Sequence, residues 1–257
     1  MTIIIGGNTM SGNFNSNGDS QNTPNVVTNG LLLWLDAGNN ASYLNSSNYY
    51  DCGYGCQYYS SSPGCTNCNT QWKDMSGNGA DGVFTNGAAI SYATGGGGIL
   101  FNGSNSTVEV SQNFGVLSNY TICYWAKRDS ENRMPIAGRT STAFYWYGDN
   151  SWFYTHGGAT GEYYYSKPTS IPISTWGHYC VVYNGSNVTI YRQGVYQGQQ
   201  STTGTADWSQ GMKIGYWSAG GGYAFNGTIS VVNFYNRALS ASEILQNFNN
   251  GRQRFGI

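Results

Sequence analysis

The chain is 257 residues long with a net charge of −1; 9% of its residues are charged and 16% are aromatic. Lysine and arginine are scattered, so no basic stripe exists to neutralise phosphates, and nucleic acid is excluded as the expected partner. No apolar run approaches the roughly 20 residues that a membrane-spanning helix needs, so no membrane insertion is predicted.

Residues 1–29 are predicted to form an N-terminal extended arm. The run Ile3-Ile4-Ile5 is followed by a stretch rich in Gly, Asn and Ser that has no periodicity. Such a segment is either a flexible terminus or a strand that pairs with the exposed sheet edge of a neighbouring subunit. The first residues lack the basic and long apolar segments of a secretory signal peptide, which indicates assembly inside a cell or export by another route.

From residue 30 to residue 257 the pattern is that of one all-β domain. Short runs of β-branched and aromatic residues alternate with Asn-Gly and Gln-Gly turn signals, which favours a two-sheet antiparallel sandwich. The clearest hairpin is predicted at Asn184-Gly185, because Asn-Gly tolerates the positive φ angles of tight turns. The predicted strands cover residues 31–36, 98–101, 107–110, 121–126, 179–183, 188–191, 213–215 and 228–234.

One short helix is predicted near the C-terminus. Ser240 followed by Glu243 has the spacing of a capping box, in which each side chain bonds a backbone amide at the other residue. The apolar residues Ile244 and Phe248 follow, and Gly251 is a stop signal.

Four cysteines have the pattern Cys52-x3-Cys56-x8-Cys65-x2-Cys68, inside a predicted Cys-rich insertion at about residues 44–70. Two close pairs of thiols suit a structural Zn site, and they also suit two disulfides. Either cross-link would restrict a loop that has few aliphatic residues of its own. The first spacing contains two glycines and is less typical of a zinc knuckle, so disulfides are slightly favoured.

The other two cysteines, Cys123 and Cys180, fall in predicted core strands. A buried free cysteine behaves as a small hydrophobe. These two residues can pair only if their strands are neighbours in the right register.

Aromatic residues are concentrated in the middle of the chain. Exposed Tyr and Trp among Asn and Gly suit sugar rings, whose C–H faces stack on aromatic rings while their hydroxyls bond polar groups. The alternative is core packing together with a subunit interface, where these residue types are also enriched. The candidate glycan platform consists of Trp146, Tyr147, Trp152, Tyr154, Tyr164 and Trp217.

Several segments, taken in order, resemble the laminin-G-like jelly roll, a concanavalin A-like fold. An opening strand is followed by a Trp-Lys-Asp-Met-Ser-Gly-Asn-Gly segment, a central strand with a tryptophan, a Trp-Gly-His hairpin, and a last strand that leads into the helix. The resemblance covers roughly residues 30–250 and depends on residues 30–37, 72–82, 120–126, 176–185, 225–230 and 235–240.

The ending Arg254-Phe255-Gly256-Ile257 is similar to that of laminin-G-like domains in phage and algal-virus structural proteins. This resemblance implies a non-enzymatic virion surface protein, either a capsid decoration or a tail or appendage subunit. Such a protein would be a homo-oligomer that is assembled in the host cytoplasm, contacts other virion subunits, and is exposed on the particle, where it meets a cell-surface glycan. A carbohydrate-binding module is the alternative function, and a glycoside hydrolase is a third.

Calcium-binding members of the resembled family usually carry an acidic residue where this chain has Ser230, so a calcium site of that type is not expected. Asp74, Asn78 and Asp81 offer hard oxygen ligands for a weak calcium site. The favoured interpretation is a turn in which these side chains bond backbone amides.

No catalytic residues are predicted. A retaining glycosidase needs two convergent carboxyl groups about 5 Å apart. The nearest pair, Asp129 and Glu131, is flanked by arginines and is expected to be a solvated loop patch.

Overall fold

The structure is a computed structural model, and it describes the following parts of the chain: residues 3–5, 8–10, 26–39, 41–42, 71–86, 88–91, 97–130, 134–139, 142–147, 151–155, 163–166, 172–217 and 223–257. The backbone alone is described for residues 3–5, 8–10, 89–91, 134–139, 142–147, 151–155, 163–166 and 217.

The described residues form short strands and one helix. The first eleven strands are β1 (Ile3–Ile5), β2 (Asn8–Met10), β3 (Leu31–Asp36), β4 (Gln71–Trp72), β5 (Gly82–Thr85), β6 (Ala89–Ser91), β7 (Gly98–Asn102), β8 (Thr107–Val110), β9 (Val116–Leu117), β10 (Tyr120–Arg128) and β11 (Met134–Arg139). The remaining elements are β12 (Thr142–Tyr147), β13 (Ser151–Thr155), β14 (Tyr163–Ser166), β15 (Trp176–Tyr183), β16 (Asn187–Arg192), β17 (Val195–Ser201), β18 (Ala206–Asp207), β19 (Met212–Ile214), β20 (Tyr216–Trp217), β21 (Tyr223–Ala224), β22 (Asn226–Tyr235) and α1 (Ala241–Gly251).

Two eight-stranded antiparallel sheets form the body. Sheet I has the order β17-β16-β15-β10-β22-β7-β6, with β3 also paired to β22. Sheet II has the order β14-β13-β12-β11-β19-β8-β5-β4. The pairs β1-β2, β9-β18 and β20-β21 are small separate ribbons. The predicted all-β, two-sheet jelly-roll sandwich with one short C-terminal helix is confirmed.

The main core lies between the two sheets. Inward residues of sheet I, such as Tyr120, Tyr124 and Val232, form one continuous cluster with Val108 and Ile214 of sheet II. All five side chains are completely buried. The alternation follows from strand geometry, since successive residues point to opposite faces of a sheet. Every second residue of a strand therefore fills the inner face, except at the bulge of β22, where Ile229 and Val232 both face the core.

The tight turns lie where the dipeptide signals predict them. Gly185 has a φ of 90° in the β15-β16 loop, where the Asn184 side chain accepts hydrogen bonds from two following backbone amides. Gln193 and Gly194 both have positive φ, at 53° and 74°, and connect β16 to β17. This is the backbone conformation that two-residue hairpin loops prefer.

Helix α1 begins with the predicted capping box. The Ser240 side chain accepts from the Glu243 amide, and the Glu243 carboxylate accepts from the Ser240 amide. The helix ends at Gly251, but the cause differs from the prediction, because the cap residue that follows, Arg252, has right-handed helical geometry. Gly251 is needed for space: a Cβ there would lie 2.6 Å from Nε1 of Trp125.

The N-terminal arm is described only in part. Strands β1 and β2 pair with each other, with Ile3 opposite Met10. Val27 is buried in a cluster with Leu239 and Ile244, and its amide donates to the Asn247 side chain at 3.0 Å. The globular body therefore includes this residue upstream of the predicted start at residue 30.

Among the described residues, no helix is long and apolar enough to cross a membrane.

Candidate functional site

The candidate glycan platform is distributed over more than one surface. Residues that lie opposite one another on paired strands share a face, and neighbours along a strand alternate. Trp146 lies opposite Trp152, so these two residues share a face of sheet II with Tyr154. Tyr147 and Tyr164 fall on the other face of the same strands. Trp217 belongs to the separate β20-β21 ribbon.

The register also shows which face of sheet II is the inner one. Ile214 is completely buried in the core between the sheets and lies opposite Ala137 on β11. Ala137 lies opposite Phe144 on β12, so Phe144 is on the inner face. Since alternate residues share a face, Trp146 is also on the inner face.

The outer face of strands β12, β13 and β14 consequently carries a row of four aromatic residues, which we call the outer aromatic row: Tyr145, Tyr147, Phe153 and Tyr164. Tyr147 and Tyr164 belong to the platform predicted from the sequence, whereas Tyr145 and Phe153 do not. Alternation along β12 and β13 shows which residues of one strand share a face. The register between the strands is also needed to show that these residues lie on the same face of the sheet.

On the neighbouring strands β11, β19, β8 and β5, the outer face of sheet II carries a glycine, an ion pair and a valine. Lys213 lies opposite Glu109, and their side chains form an ion pair with an N–O distance of 2.8 Å. Val83, opposite Glu109, is 40% exposed. Gly138 stands opposite Lys213 toward the aromatic strands and has no side chain. The described side chains on this face are thus partly exposed, and their two charges are paired.

The outer face of sheet I is covered over its central strands. Trp125 stacks on Phe255 with ring centroids 4.2 Å apart, and on Phe248 of α1 at 5.8 Å. Trp176 contacts the same Phe255 ring at 4.8 Å. Helix α1 and the C-terminal residues therefore shield the middle of this face from solvent, whereas Tyr196 on the edge strand β17 is 53% exposed.

Arg254 lies beside that aromatic stack and holds three oxygen groups together. Its guanidinium donates to the Asp36 carboxylate at 2.5 Å, to the Ser230 hydroxyl at 2.5 Å and to the Gly97 carbonyl at 3.3 Å. Ser230 also donates to the Gly97 carbonyl. Calcium-binding members of the resembled family are expected to have an acidic residue at position 230. This chain has Ser230 there, and its hydroxyl accepts a hydrogen bond from Arg254.

Asp74 is a hydrogen-bond acceptor for its own turn. Its Oδ1 accepts from the amides of Trp34 and Ser76, each at 2.9 Å. Its Oδ2 accepts from the Ser76 hydroxyl at 2.7 Å and from the Ala80 amide at 3.0 Å. This carboxylate therefore joins the turn before β5 to strand β3.

The other two candidate calcium ligands make similar contacts. The Asn78 side-chain nitrogen donates to the carbonyls of Leu31 at 3.0 Å and Leu32 at 3.1 Å. Asp81 accepts from the Asp74 amide at 2.9 Å and pairs with Lys73 at 2.6 Å. Asp81 therefore accepts from a backbone amide, as the turn interpretation expects, whereas Asn78 donates to carbonyls of strand β3.

Cys123 and Cys180 form a disulfide between adjacent strands of sheet I. The register places them directly opposite each other, with their Cα atoms 4.1 Å apart. Both are completely buried beneath α1, in a cluster that includes Tyr235 and Ile244. The pairing condition set by the sequence analysis is therefore met.

His178 lies next to this disulfide. Its Nε2 is 3.7 Å from Sγ of Cys180, and its ring is 5.1 Å from Trp125. Burial lowers the pKa of His178 to about 3, because a charged imidazolium would lose its hydration. Its Nδ1 is buried and makes no hydrogen bond to the residues that the structure describes.

Cys52, Cys56, Cys65 and Cys68 lie outside the described residues. The choice between Zn and two disulfides at that cluster stays a prediction.

A family comparison matches residues 76–245 to the laminin-G-like family described as the concanavalin A-like lectin/glucanases superfamily. No curated protein matches the chain.

Solved structures show the same fold at low identity. Domain 4 of AbnA, an extracellular GH43 arabinanase of Geobacillus stearothermophilus in complex with arabinotriose, is 17% identical, with a TM-score of 0.57 over 68% of this chain and 91% of that chain. The binding domain of Paraclostridial Mosquitocidal Protein 1 is 16% identical, with a TM-score of 0.58 over 86% of this chain and 52% of that one. Trypanosoma rangeli sialidase is 16% identical, with a TM-score of 0.58 over 89% of this chain and 33% of the sialidase.

Proposed function

We propose, since this chain belongs to the concanavalin A-like lectin/glucanases superfamily, that it is a non-enzymatic binding protein that holds a carbohydrate on the outer face of sheet II. The observation that carries the proposal is the contrast between the two outer faces. On sheet I, α1 and Phe255 cover the central strands, whereas on sheet II the register places the outer aromatic row on the outer face.

Carbohydrate fits this face for a physical reason. Pyranose and furanose rings have an apolar C–H side that stacks on aromatic rings, and hydroxyls that bond phenol or amide groups. A low-charge face with tyrosines satisfies both needs. The nearby Glu109–Lys213 pair keeps its charges mutually neutralised, so the face attracts neither strongly acidic nor strongly basic ligands.

The fold comparison supports carbohydrate as the first ligand class to test. The AbnA domain is in complex with arabinotriose, and it shares 17% identity with this chain. We propose a short neutral oligosaccharide of that kind as the ligand.

The carboxylates support a non-enzymatic role. Asp36, Glu109 and Glu243 are each held in an ion pair with a basic residue, at 2.5, 2.8 and 2.6 Å respectively. The Arg237 guanidinium lowers the pKa of Glu243 to about 2, so this group is not a proton donor at neutral pH. Within the part of the chain that the structure describes, these acids therefore act in structural contacts.

The test is glycan binding by matched variants. A glycan array should show binding of neutral oligosaccharides with micromolar to millimolar affinity. Tyr147→Ser combined with Tyr164→Ser should weaken binding about tenfold or more, since one stacked ring contributes on the order of 1 kcal/mol. Tyr196→Ser is the control, because Tyr196 is 53% exposed on β17 of sheet I.

Equal binding by the wild type and the Tyr147/Tyr164 variant would overturn the outer face as the site. A broad array without any binding would overturn the carbohydrate ligand itself. Thermal melting of each variant should match the wild type, so that lost binding reports the surface rather than the fold.

We place this binding protein on a virion, as a homo-oligomeric capsid decoration or appendage subunit. The support is the resemblance of the closing Arg254-Phe255-Gly256-Ile257 to that of laminin-G-like domains in phage and algal-virus structural proteins. Antibodies against the chain should label intact particles in electron micrographs, and unlabelled particles would refute this location. Deletion of residues 1–25, which spares the buried Val27, should leave a folded domain that no longer attaches, and retained attachment would remove the arm as the anchor.

A further inference from the structure

We propose that Cys123, Cys180 and His178, when the disulfide is reduced, form a trigonal binding site for Cu(I). The oxidised and the metal-bound states exclude each other, because the same two sulfur atoms make either the S–S bond or the metal bonds.

The backbone keeps these ligands together without the disulfide. Cys123 and Cys180 are opposite residues of β10 and β15, which pair continuously from Tyr120–Tyr183 to Lys127–Trp176. Strand β10 is also bonded to β22 on its other side. Reduction therefore breaks one covalent bond inside a sheet whose hydrogen bonds hold both cysteines in place.

The distances fit a three-coordinate ion. The two sulfur atoms and a ring nitrogen of His178 all lie within 4.8 Å of one another. Three ligand atoms at bond lengths of roughly 2.0 to 2.3 Å around one ion in a plane are about 3.5 to 4 Å apart. Small side-chain rotations of the freed thiols are enough to reach that geometry.

His178 offers an imidazole to this site. Its Nε2 faces Cys180 at 3.7 Å, and its Nδ1 is buried without a hydrogen bond to the described residues. A buried ring nitrogen without a partner is uncommon, because its desolvation is uncompensated. A metal bond at Nε2 needs the neutral imidazole, and the ring then carries its proton on Nδ1.

Cu(I) is the occupant that the ligand set favours. Thiolate is a soft ligand that selects Cu(I) and Zn(II). Structural zinc is almost always four-coordinate. The group consists of three ligands among the described residues, and these are 0–1% exposed, so solvent does not provide a fourth.

The chemistry balances with a dithiol or phosphine as the reductant. Two electrons and two protons convert the disulfide to two thiols; a dithiol supplies both and becomes a disulfide, or a phosphine supplies the electrons and takes the oxygen of one water molecule, whose two protons go to the thiols, to become a phosphine oxide. Each cysteine that binds the ion as a thiolate then releases one proton to solvent.

The experiment uses the full chain reduced with a phosphine and equilibrated with Cu(I) against a chromogenic Cu(I) chelator. The wild type should bind one equivalent more than a Cys123→Ala/Cys180→Ala variant, and the difference removes any contribution of Cys52, Cys56, Cys65 and Cys68. His178→Phe should weaken that additional site about tenfold to a hundredfold. Disulfide-bonded wild type, which needs no mutation, should lack the additional equivalent.

Equal Cu(I) stoichiometry in the reduced wild type and the double-alanine variant would overturn the site. Unchanged affinity in His178→Phe, with native circular dichroism, would remove the histidine from the ligand set. An additional equivalent of Zn(II) without one of Cu(I) would overturn the choice of metal.

Discussion

The two outer faces of the sandwich differ in what surrounds their aromatic residues. On sheet I, Trp125 and Trp176 are buried under Phe248 and Phe255, so large aromatic residues there stabilise the fold. On sheet II, the outer aromatic row follows three consecutive strands at one end of the sheet. Similar residue types therefore serve stability on one face and, in our proposal, recognition on the other. Composition alone cannot separate these roles, but strand register can.

The largest expected effect is on the covered face. Trp125→Ala removes the ring that stacks on Phe255 at 4.2 Å and on Phe248 at 5.8 Å. We expect the free energy of unfolding to fall by about 4 kcal/mol, which is typical of a large buried aromatic residue. Urea unfolding followed by fluorescence measures this. A loss below about 1 kcal/mol would contradict the structural role of this face.

Arg254→Ala should have the next largest effect. It leaves Asp36, which is 4% exposed, as a buried carboxylate without its ion-pair partner. Because Arg254 itself is partly exposed, we expect a loss of about 2 kcal/mol rather than the full cost of a deeply buried pair. Arg252→Ala is the matched control, since that side chain is exposed in the same segment. Equal losses in the two variants would show that the charge pair is unimportant.

The capping box of α1 predicts a pH-dependent effect of intermediate size. The Arg237 guanidinium lowers the pKa of Glu243 to about 2, below the usual value of about 4.3. The charged form is thus favoured in the folded state, so its stabilisation is complete above the usual pKa and is lost as the pH falls toward 2. Glu243→Gln should lower the free energy of unfolding by about 1 kcal/mol at pH 7 and by little near pH 2. Urea titrations at both pH values measure the difference, and a constant gap would refute the assignment.

The smallest effect is expected on the open face of sheet II. Lys213→Ala breaks the ion pair with Glu109, whose side chains are 21% and 32% exposed. Such pairs contribute about 0.5 kcal/mol, so the free energy of unfolding should change little. If this substitution destabilised the protein as much as Trp125→Ala, the two faces would not differ in the way described above.

Much of the fold can be predicted from local pattern. The capping box at Ser240 and the hairpin at Asn184-Gly185 are short-range signals that the structure confirms. Contacts between distant residues give no such signal: Arg254 and Asp36 are 218 positions apart. The Cys123–Cys180 disulfide likewise depends on a register that only the folded sheet defines.

The candidate site was less predictable than the fold for the same reason. Alternation along a strand divides Tyr145 from Trp146, but it does not say which of them faces the core. The register between the strands decides which residue faces the core. The buried Ile214 lies opposite Ala137, and Ala137 lies opposite Phe144. The platform predicted from composition therefore combines residues of the inner face of sheet II with residues of its outer face.

The position of β22 has a consequence for how the polypeptide is made. This strand joins β10 on one side and both β7 and β3 on the other, although its residues follow theirs by about a hundred positions or more. During translation, one edge of each of β3, β7 and β10 lacks its hydrogen-bonding partner until residues 226–235 leave the ribosome. Pairing between strands so distant in sequence makes folding slow. Nascent or prematurely terminated chains are consequently the form most exposed to aggregation and to chaperone capture.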